Sequence, residues 1–213
     1  MLEIKNGRLE REGKTLFSNL SFIARGGEAV CVSAPPRSGK TSLLRSFLGF
    51  LPLDDGYVSV DGELIDAFSA RFFRKQMSYL PQVVDLPYQK VSDMIAQLLA
   101  FKKDVSLEDS KASLMALWKE LGIQEESYSQ ELNEINYIQC RLLMLTGICV
   151  LQHPIVLLDE PTTGMVGEEV ENVGFCIRHL TRQGASVVVT CQEHDPIVRY
   201  CDKLVEFNTH PYS

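Results

Sequence analysis

Within APPRSGKTS at 34–42, the run Gly39-Lys40-Thr41-Ser42 has the residue types of a phosphate site. In a loop of the form G-x-x-x-x-G-K-[ST], backbone N–H groups wrap the phosphates, the lysine reaches the terminal ones, and the hydroxyl takes a place on Mg2+. Lys40 and Thr41 suit the last two roles, while Ala34, Pro35, Pro36, Arg37 and Ser38 form the rest of the loop. The apolar run AVCVSA leads into it, and Leu43, Leu44, Phe47 and Leu48 then share one helical face, so the order is strand, loop, helix. A helix starting at Lys40 also presents unpaired N–H groups and the positive end of its dipole to the same anion. The alternative is a helix N-terminus that merely contains G-K-T.

A second group lies far downstream, where IVLLDEP at 155–161 is an apolar strand ending in adjacent carboxylates. Asp159 has the chemistry to hold Mg2+ through water, and Glu160 to orient or deprotonate an attacking water. A solvated strand end is the other reading, and the lysine loop upstream argues against it.

The elements that must position these groups can be read from the pattern of the chain. Residues 2–33 read as short strands with turns at EREGK and ARGGE. YVSVDGE reads as a strand closed by an Asp61-Gly62 turn, and MSYLPQ as a strand stopped by proline. From about 86 to 145 the spacing turns helical, with Val91, Met94, Ile95, Leu98 and then Leu114, Leu117, Trp118, Leu121 recurring at three and four. The alternation of strand and helix returns with IVLLDE, a helix facing inward through Val170, Val173, Ile177 and Leu180, then SVVVT and KLVEF. The pattern implies an α/β fold with a mainly parallel sheet and an inserted helical subdomain.

The length of 213 residues suits one substantial domain spanning 1–213. With 45% hydrophobic residues the chain can bury a core. A net charge of −7 without a run of Lys or Arg disfavours a nucleic-acid partner. The charged start MLEIKNGRLERE is no secretory signal, and LLMLTGICVL at 142–151 is too short to cross a membrane and reads as a buried helix. Six cysteines without a C-x-x-C pair read as buried thiols of a reducing, cytoplasmic compartment.

Taken together, the lysine loop, Gln82 in SYLPQ, and LLDEPTTG at 157–164, in that order and with a helical subdomain between, resemble the nucleotide-binding subunit of ABC transporters over nearly the whole chain. The resemblance implies a P-loop NTPase-type core with an N-terminal antiparallel β part. It implies MgATP bound at a dimer interface, with Gln82 contacting Mg2+ and sensing a transmembrane permease. It also implies a second ATP-binding subunit and a place at the inner face of the membrane, reached through a partner near Gln82 and the helical subdomain.

The chain departs from that family at several motifs. Ala34, Pro36 and Arg37 replace Gly, Ser and Gly of the family's loop. If Arg37 is left-handed it costs about 1–2 kcal/mol, against about 1.5–3 kcal/mol for each charge-assisted hydrogen bond from Lys40; binding is expected to survive, and the Arg37 side chain to face solvent. The family's adenine-stacking aromatic falls near Arg11, which either stacks on the base or is an exposed turn residue. The signature L-S-G-G-Q is matched best by LNEIN at 132–136, within a few residues, and Glu134 and Ile135 stand where bare backbone must approach phosphate. The family's D-loop aspartate aligns with Val166 and its switch histidine with Cys191; the nearest histidine, His194, three residues later, either reaches the γ-phosphate through a small shift of the chain or, the reading favoured here, is a surface residue at a helix start.

Two functions remain open on this reading. One is an ATPase subunit that drives a permease, with weak turnover by the chain alone. The other is a degenerate subunit that holds ATP against a more complete partner. Faulty signatures on both sides of a homodimer favour a heterodimer. A soluble relative acting in DNA repair or translation is disfavoured by the acidic balance and the lack of a coiled-coil insertion.

Overall fold

Strand and helix alternate through the chain as the hydrophobic pattern predicts, and the computed structural model describes residues 1–84, 90–100 and 106–206. β1 (Leu2–Arg11) and β2 (Lys14–Ala24) are long partners rather than short strands. Their pairing continues through register shifts around Gly7, where Asn6 (φ 51°) and Asn19 (φ 52°) absorb the irregularity. β4 (Asp55–Val60) and β5 (Glu63–Leu64) join through the expected Asp61-Gly62 turn and complete an antiparallel sheet of order β2-β1-β4-β5.

The second sheet is parallel. β3 (Ala29–Ser33), β6 (Met77–Leu80), β7 (Ile155–Asp159), β8 (Ser186–Cys191) and β9 (Lys203–Glu206) lie in the order β6-β7-β8-β3-β9. Parallel neighbours cannot be joined by a hairpin, so helices carry the crossovers. These are α1 (Lys40–Phe47), α2 (Ala70–Arg74), α3 (Val91–Leu99), α4 (Leu107–Glu120), α5 (Tyr137–Leu151) and α6 (Glu168–Arg182).

The period of two along each strand divides the core between two layers. Val30, Val32, Leu157 and Val188 pack with Leu43, Leu44 and Phe47 of α1 and with Leu2, Ile4 and Leu9 of the antiparallel sheet. Their neighbours Cys31, Val156, Leu158, Val187 and Val189 face α6 and the helices α3, α4 and α5. Since β3 and β7 are buried on both faces, the residues that leave their C-terminal ends have little freedom of direction, and these ends carry the loop and the carboxylates.

The helical stretch was expected over about 86–145; residues 86–89 and 101–105 lie outside the described residues, as does Phe207 of KLVEF. At the other boundary, α5 runs past 145 to Leu151, because its buried apolar run is uninterrupted until Gln152 adopts a left-handed φ of 57°. The layer of helices is anchored by Trp118, fully buried, whose indole N–H donates to Thr146 Oγ1 at 2.8 Å while that hydroxyl donates to the Leu143 carbonyl at 2.7 Å. Trp118→Phe removes the donor and part of the buried volume. It is expected to lower stability by about 2 kcal/mol, measured by urea unfolding followed by circular dichroism.

Candidate functional site

The loop after β3 begins with Ala34, buried, whose N–H donates to the Cys191 carbonyl at 3.2 Å and so fixes the loop to the end of β8. Two left-handed residues, Arg37 (φ 61°) and Gly39 (φ 100°), then curl the backbone back toward α1. The Arg37 side chain is exposed, and its backbone carries a strain of about 1–2 kcal/mol. Gly39 has a steric reason as well, since a Cβ there would lie 2.8 Å from Leu16 Cβ. Inside the curl, Ser38 Oγ is buried without a partner among the described residues.

Lys40 opens α1, with its side chain folded under the loop. Its Nζ donates to the carbonyls of Ala34 at 2.6 Å and Pro35 at 2.8 Å, and pairs with Glu160 Oε1 at 3.2 Å. An ammonium group has three donors, so all are in use.

The carboxylates arrive from β7. Asp159 is fully buried; its Oδ2 accepts from Thr41 Oγ1 at 2.8 Å and from the Tyr79 hydroxyl at 3.2 Å, and its Oδ1 from Thr190 Oγ1 at 2.8 Å. Burial, then the neighbouring Asp159 carboxylate, push the Tyr79 hydroxyl above its usual range, so it remains a donor. Glu160 turns sharply out of the strand at φ 45°, with its N–H donating to Thr190 Oγ1 at 3.0 Å and to the Thr190 carbonyl at 3.1 Å. Its Oε2 accepts from Gln82 Nε2 at 3.2 Å, Thr163 Oγ1 at 3.1 Å and Gln192 Nε2 at 3.0 Å.

A second buried cation supports this turn from below. Arg141 of α5 is fully buried and its Nη2 donates to the carbonyls of Asp159 at 3.1 Å and Glu160 at 2.8 Å. Its Nε and Nη1 have no partner among the described residues, and burial lowers its pKa. Two cations, Lys40 and Arg141, thus face two anions, Asp159 and Glu160.

Above these groups opens a cleft of ≈ 400 Å³, lined by Pro36, Arg37, Gly39, Lys40, Thr41 and Ser42 from the loop, by Gln82 and Glu160, and by Leu16 and Gln192. Ala34, Pro35, Ser38 and Asp159 stand behind its wall. The orphaned Ser38 hydroxyl, the curled backbone and Lys40 suit an oxyanion ligand. The hydroxyl of Thr41, the carboxylate of Asp159 and the amide oxygen of Gln82 are hard-oxygen groups of the kind that suits Mg2+. Leu16 and Gln192 were not anticipated from sequence, nor were the supports Tyr79, Thr190 and Arg141.

Other expected residues lie elsewhere. The Arg11 guanidinium does not line the cleft; it bonds to the Glu10 carbonyl and the Pro52 carbonyl and pairs with Asp54 at 3.6 Å, while Leu16 supplies the apolar wall. Cys191 stays within β8, with its thiol 3.0 Å from that of Cys31, whose proton is held by the pair and whose pKa is pushed up. His194 is exposed, at φ 62° in the turn directly ahead of Asp195, the N-cap of the short 3-10 helix Pro196–Tyr200, in keeping with a surface residue at a helix start. Val166 is 77% exposed. LNEIN forms the turn before α5, where Asn136 caps the helix by accepting from the Gln139 N–H at 2.8 Å.

This arrangement has counterparts in known proteins. A sequence profile described as ABC transporter matches residues 17–163. The cytochrome c biogenesis ATP-binding export protein CcmA of Hahella chejuensis is 28% identical over 195 residues, covering 89% of this chain and 88% of that protein. The uncharacterized ABC transporter ATP-binding protein YhcH of Bacillus subtilis is 26% identical over 212 residues; the alignment takes in 96% of this chain but 66% of that longer protein. The fold superposes on the dimeric structure of MJ0796, a bacterial ABC transporter cassette, with a TM-score of 0.80 at 19% identity, over 97% of this chain and 94% of that one. With the profile spanning well over half of its length, the chain belongs to the ABC transporter family.

Proposed function

We propose that the chain is the ATP-binding subunit of an ABC-type transporter and that it hydrolyses MgATP in the cleft over Lys40. The observation that carries this reading is the convergence of two distant segments, with Lys40 3.2 Å from Glu160 and Thr41 2.8 Å from Asp159. Backbone N–H groups of the loop and of the start of α1 bind the phosphates, and Lys40 moves from Glu160 to their terminal oxygens. Thr41, Gln82 and Asp159, the last through water, would hold Mg2+, which would supply neutralisation of phosphate charge. Glu160 orients a water and takes its proton as the oxygen attacks the γ-phosphorus. The bond to the β-phosphate oxygen breaks, giving ADP and inorganic phosphate.

The names of its relatives support a role in transport, with a permease docked near Gln82 and the helical subdomain, at the cytoplasmic face of the membrane. Among the described residues no helix is long and apolar enough to cross a membrane. A second ATP-binding subunit completes the site, and a heterodimer suits the bulky Glu134 and Ile135 better than a homodimer. One feature favours the second reading, a degenerate subunit with little turnover: Cys191, which aligns with the family's switch histidine, is buried against Cys31 and is not among the residues that line the cleft.

Phosphate release by purified protein tests the assignment. Turnover is expected to be slow for the chain alone, faster when permease and second subunit are present, and about 10²–10³-fold lower in Glu160→Gln, with MgATP affinity retained. Turnover that Glu160→Gln leaves unchanged would contradict it.

A further inference from the structure

Three thiols gather behind the root of the phosphate loop. Cys31, in the middle of β3, and Cys191, the last residue of β8, are fully buried on the same face of the parallel sheet, with their sulfurs 3.0 Å apart. That separation is about 1 Å longer than a disulfide bond. Cys201, half-buried just ahead of β9, interacts with Cys31 as well. Its position is fixed through the next residue: the Asp202 N–H donates to the Ala29 carbonyl at 2.8 Å, and the Ala29 N–H donates to Asp202 Oδ2 at 2.8 Å.

The three differ in access and in protonation. Of the group, Cys201 alone is partly open to solvent. The hydrogen bonds with Cys191 and Cys201, then burial, push the Cys31 thiol up, so it keeps its proton. The hydrogen bond from Cys31 holds Cys191 below the usual thiol range, which favours the thiolate, the nucleophile of disulfide exchange. Cys149 and Cys176 also lie together, but both are fully buried, and no partly exposed thiol joins them among the described residues.

We propose that Cys31, Cys191 and Cys201 form a thiol relay that hydroperoxides oxidise to a Cys31–Cys191 disulfide, and that this bond weakens nucleotide binding. Hydrogen peroxide transfers one oxygen to Cys201, giving the sulfenic acid and one water. The Cys31 sulfur displaces the hydroxyl group, which leaves with the Cys31 proton as a second water, and a Cys31–Cys201 disulfide forms. The Cys191 thiolate then attacks the Cys31 sulfur and releases Cys201, which takes up the proton that Cys191 gave up. In sum, two thiols lose two electrons and two protons, and the peroxide is reduced to two waters.

The bond acts on the cleft through the backbone. Cys31 stands opposite Val189 and Cys191 opposite Ser33, so the two cysteines are diagonal neighbours on β3 and β8. With strands about 4.8 Å apart and a rise of about 3.3 Å per residue, such neighbours have Cα atoms about 8 Å apart. A disulfide takes at most about 6.8 Å, so closing it draws the end of β8 toward β3. Both strands lead into the cleft: the Ala34 N–H bonds to the Cys191 carbonyl at 3.2 Å, and Gln192 lines the cleft wall. The loop is displaced with them. A bond that demands such movement is also readily reduced, as a regulatory disulfide in a reducing compartment must be. The effect on nucleotide rests on the function proposed above, whereas formation of the bond does not.

The reduced chain, treated with a small excess of hydrogen peroxide, is expected to lose two of its six thiols. Peptide mass spectrometry is expected to find Cys31 linked to Cys191. MgATP affinity, measured in a Glu160→Gln background so that the ligand is not consumed, is expected to fall at least 10-fold and to return with dithiothreitol. Cys201→Ser removes the entry point: it is expected to bind MgATP as before when reduced and to form the link at least 10-fold more slowly. An unchanged thiol count, or thiol loss without a Cys31–Cys191 link, would overturn the relay. A link that forms equally fast in Cys201→Ser would overturn the role of Cys201, and a link that leaves MgATP affinity unchanged would overturn the effect on binding. Failure of the reduced chain to bind MgATP would overturn the nucleotide reading and with it the effect on binding, while the linked peptide would still report the relay.

Discussion

Arg141→Ala is expected to lower stability by about 3–5 kcal/mol, the largest effect of any single substitution near the site. Arg141 is fully buried beneath the turn that presents Asp159 and Glu160, and its guanidinium bonds to both of their carbonyls, at 3.1 and 2.8 Å. Truncation leaves a cavity, removes partners from two buried carbonyls, and leaves two buried carboxylates facing Lys40 alone. It also frees Glu160 from the constraint that keeps it at φ 45°, a conformation that a residue with a Cβ adopts only under compulsion. Arg141→Lys keeps the charge but not the planar group, and is expected to recover less than half of the loss. Urea unfolding checks both, and a change below about 1 kcal/mol for Arg141→Ala would show that the buried charges are balanced in some other way.

The readable parts of this protein are those in which chemistry and local structure share a short run. Gly39-Lys40-Thr41 and the paired carboxylates of IVLLDEP announce themselves because strand, turn and reactive group are contiguous, and a strand buried on both faces leaves its next residues only one exit. The alternation of helix and strand was legible for the same reason, and with it the parallel sheet and the insertion between Gln82 and Asp159. Gln192 and Leu16 were not, because their place at the cleft depends on how β8 and the β1–β2 hairpin are set against the loop, which no local pattern encodes. Arg141 did leave a signal, as a lone charge beside the apolar run LLMLTGICVL. A charge in that setting must find buried partners, and the carbonyls at the end of β7 are within its reach. The two readings of Arg11 stayed open in the sequence because alignment gives a position in the hairpin but not the neighbours, Pro52 and Asp54, that the guanidinium meets.

The second large effect concerns the nucleotide. Lys40→Ala is expected to weaken MgATP binding by at least 10²-fold. Two or more charge-assisted hydrogen bonds to phosphate are lost, each worth about 1.5–3 kcal/mol, and about 1.4 kcal/mol corresponds to a factor of ten. The loop's remaining backbone donors, its strained Arg37 and its Ala34 are unchanged, so the difference belongs to the lysine. Comparison within a Glu160→Gln background serves two purposes: the ligand is not consumed, and removal of Lys40 no longer strands a buried carboxylate that it had paired at 3.2 Å. Circular dichroism confirms that both proteins are folded before titration.

The measurement that bears most directly on the assignment is therefore MgATP titration by calorimetry of Glu160→Gln and of Glu160→Gln with Lys40→Ala. The account predicts saturable binding by the first and a loss of at least 10²-fold in the second. Equal affinity in both, or no binding in either, would contradict it.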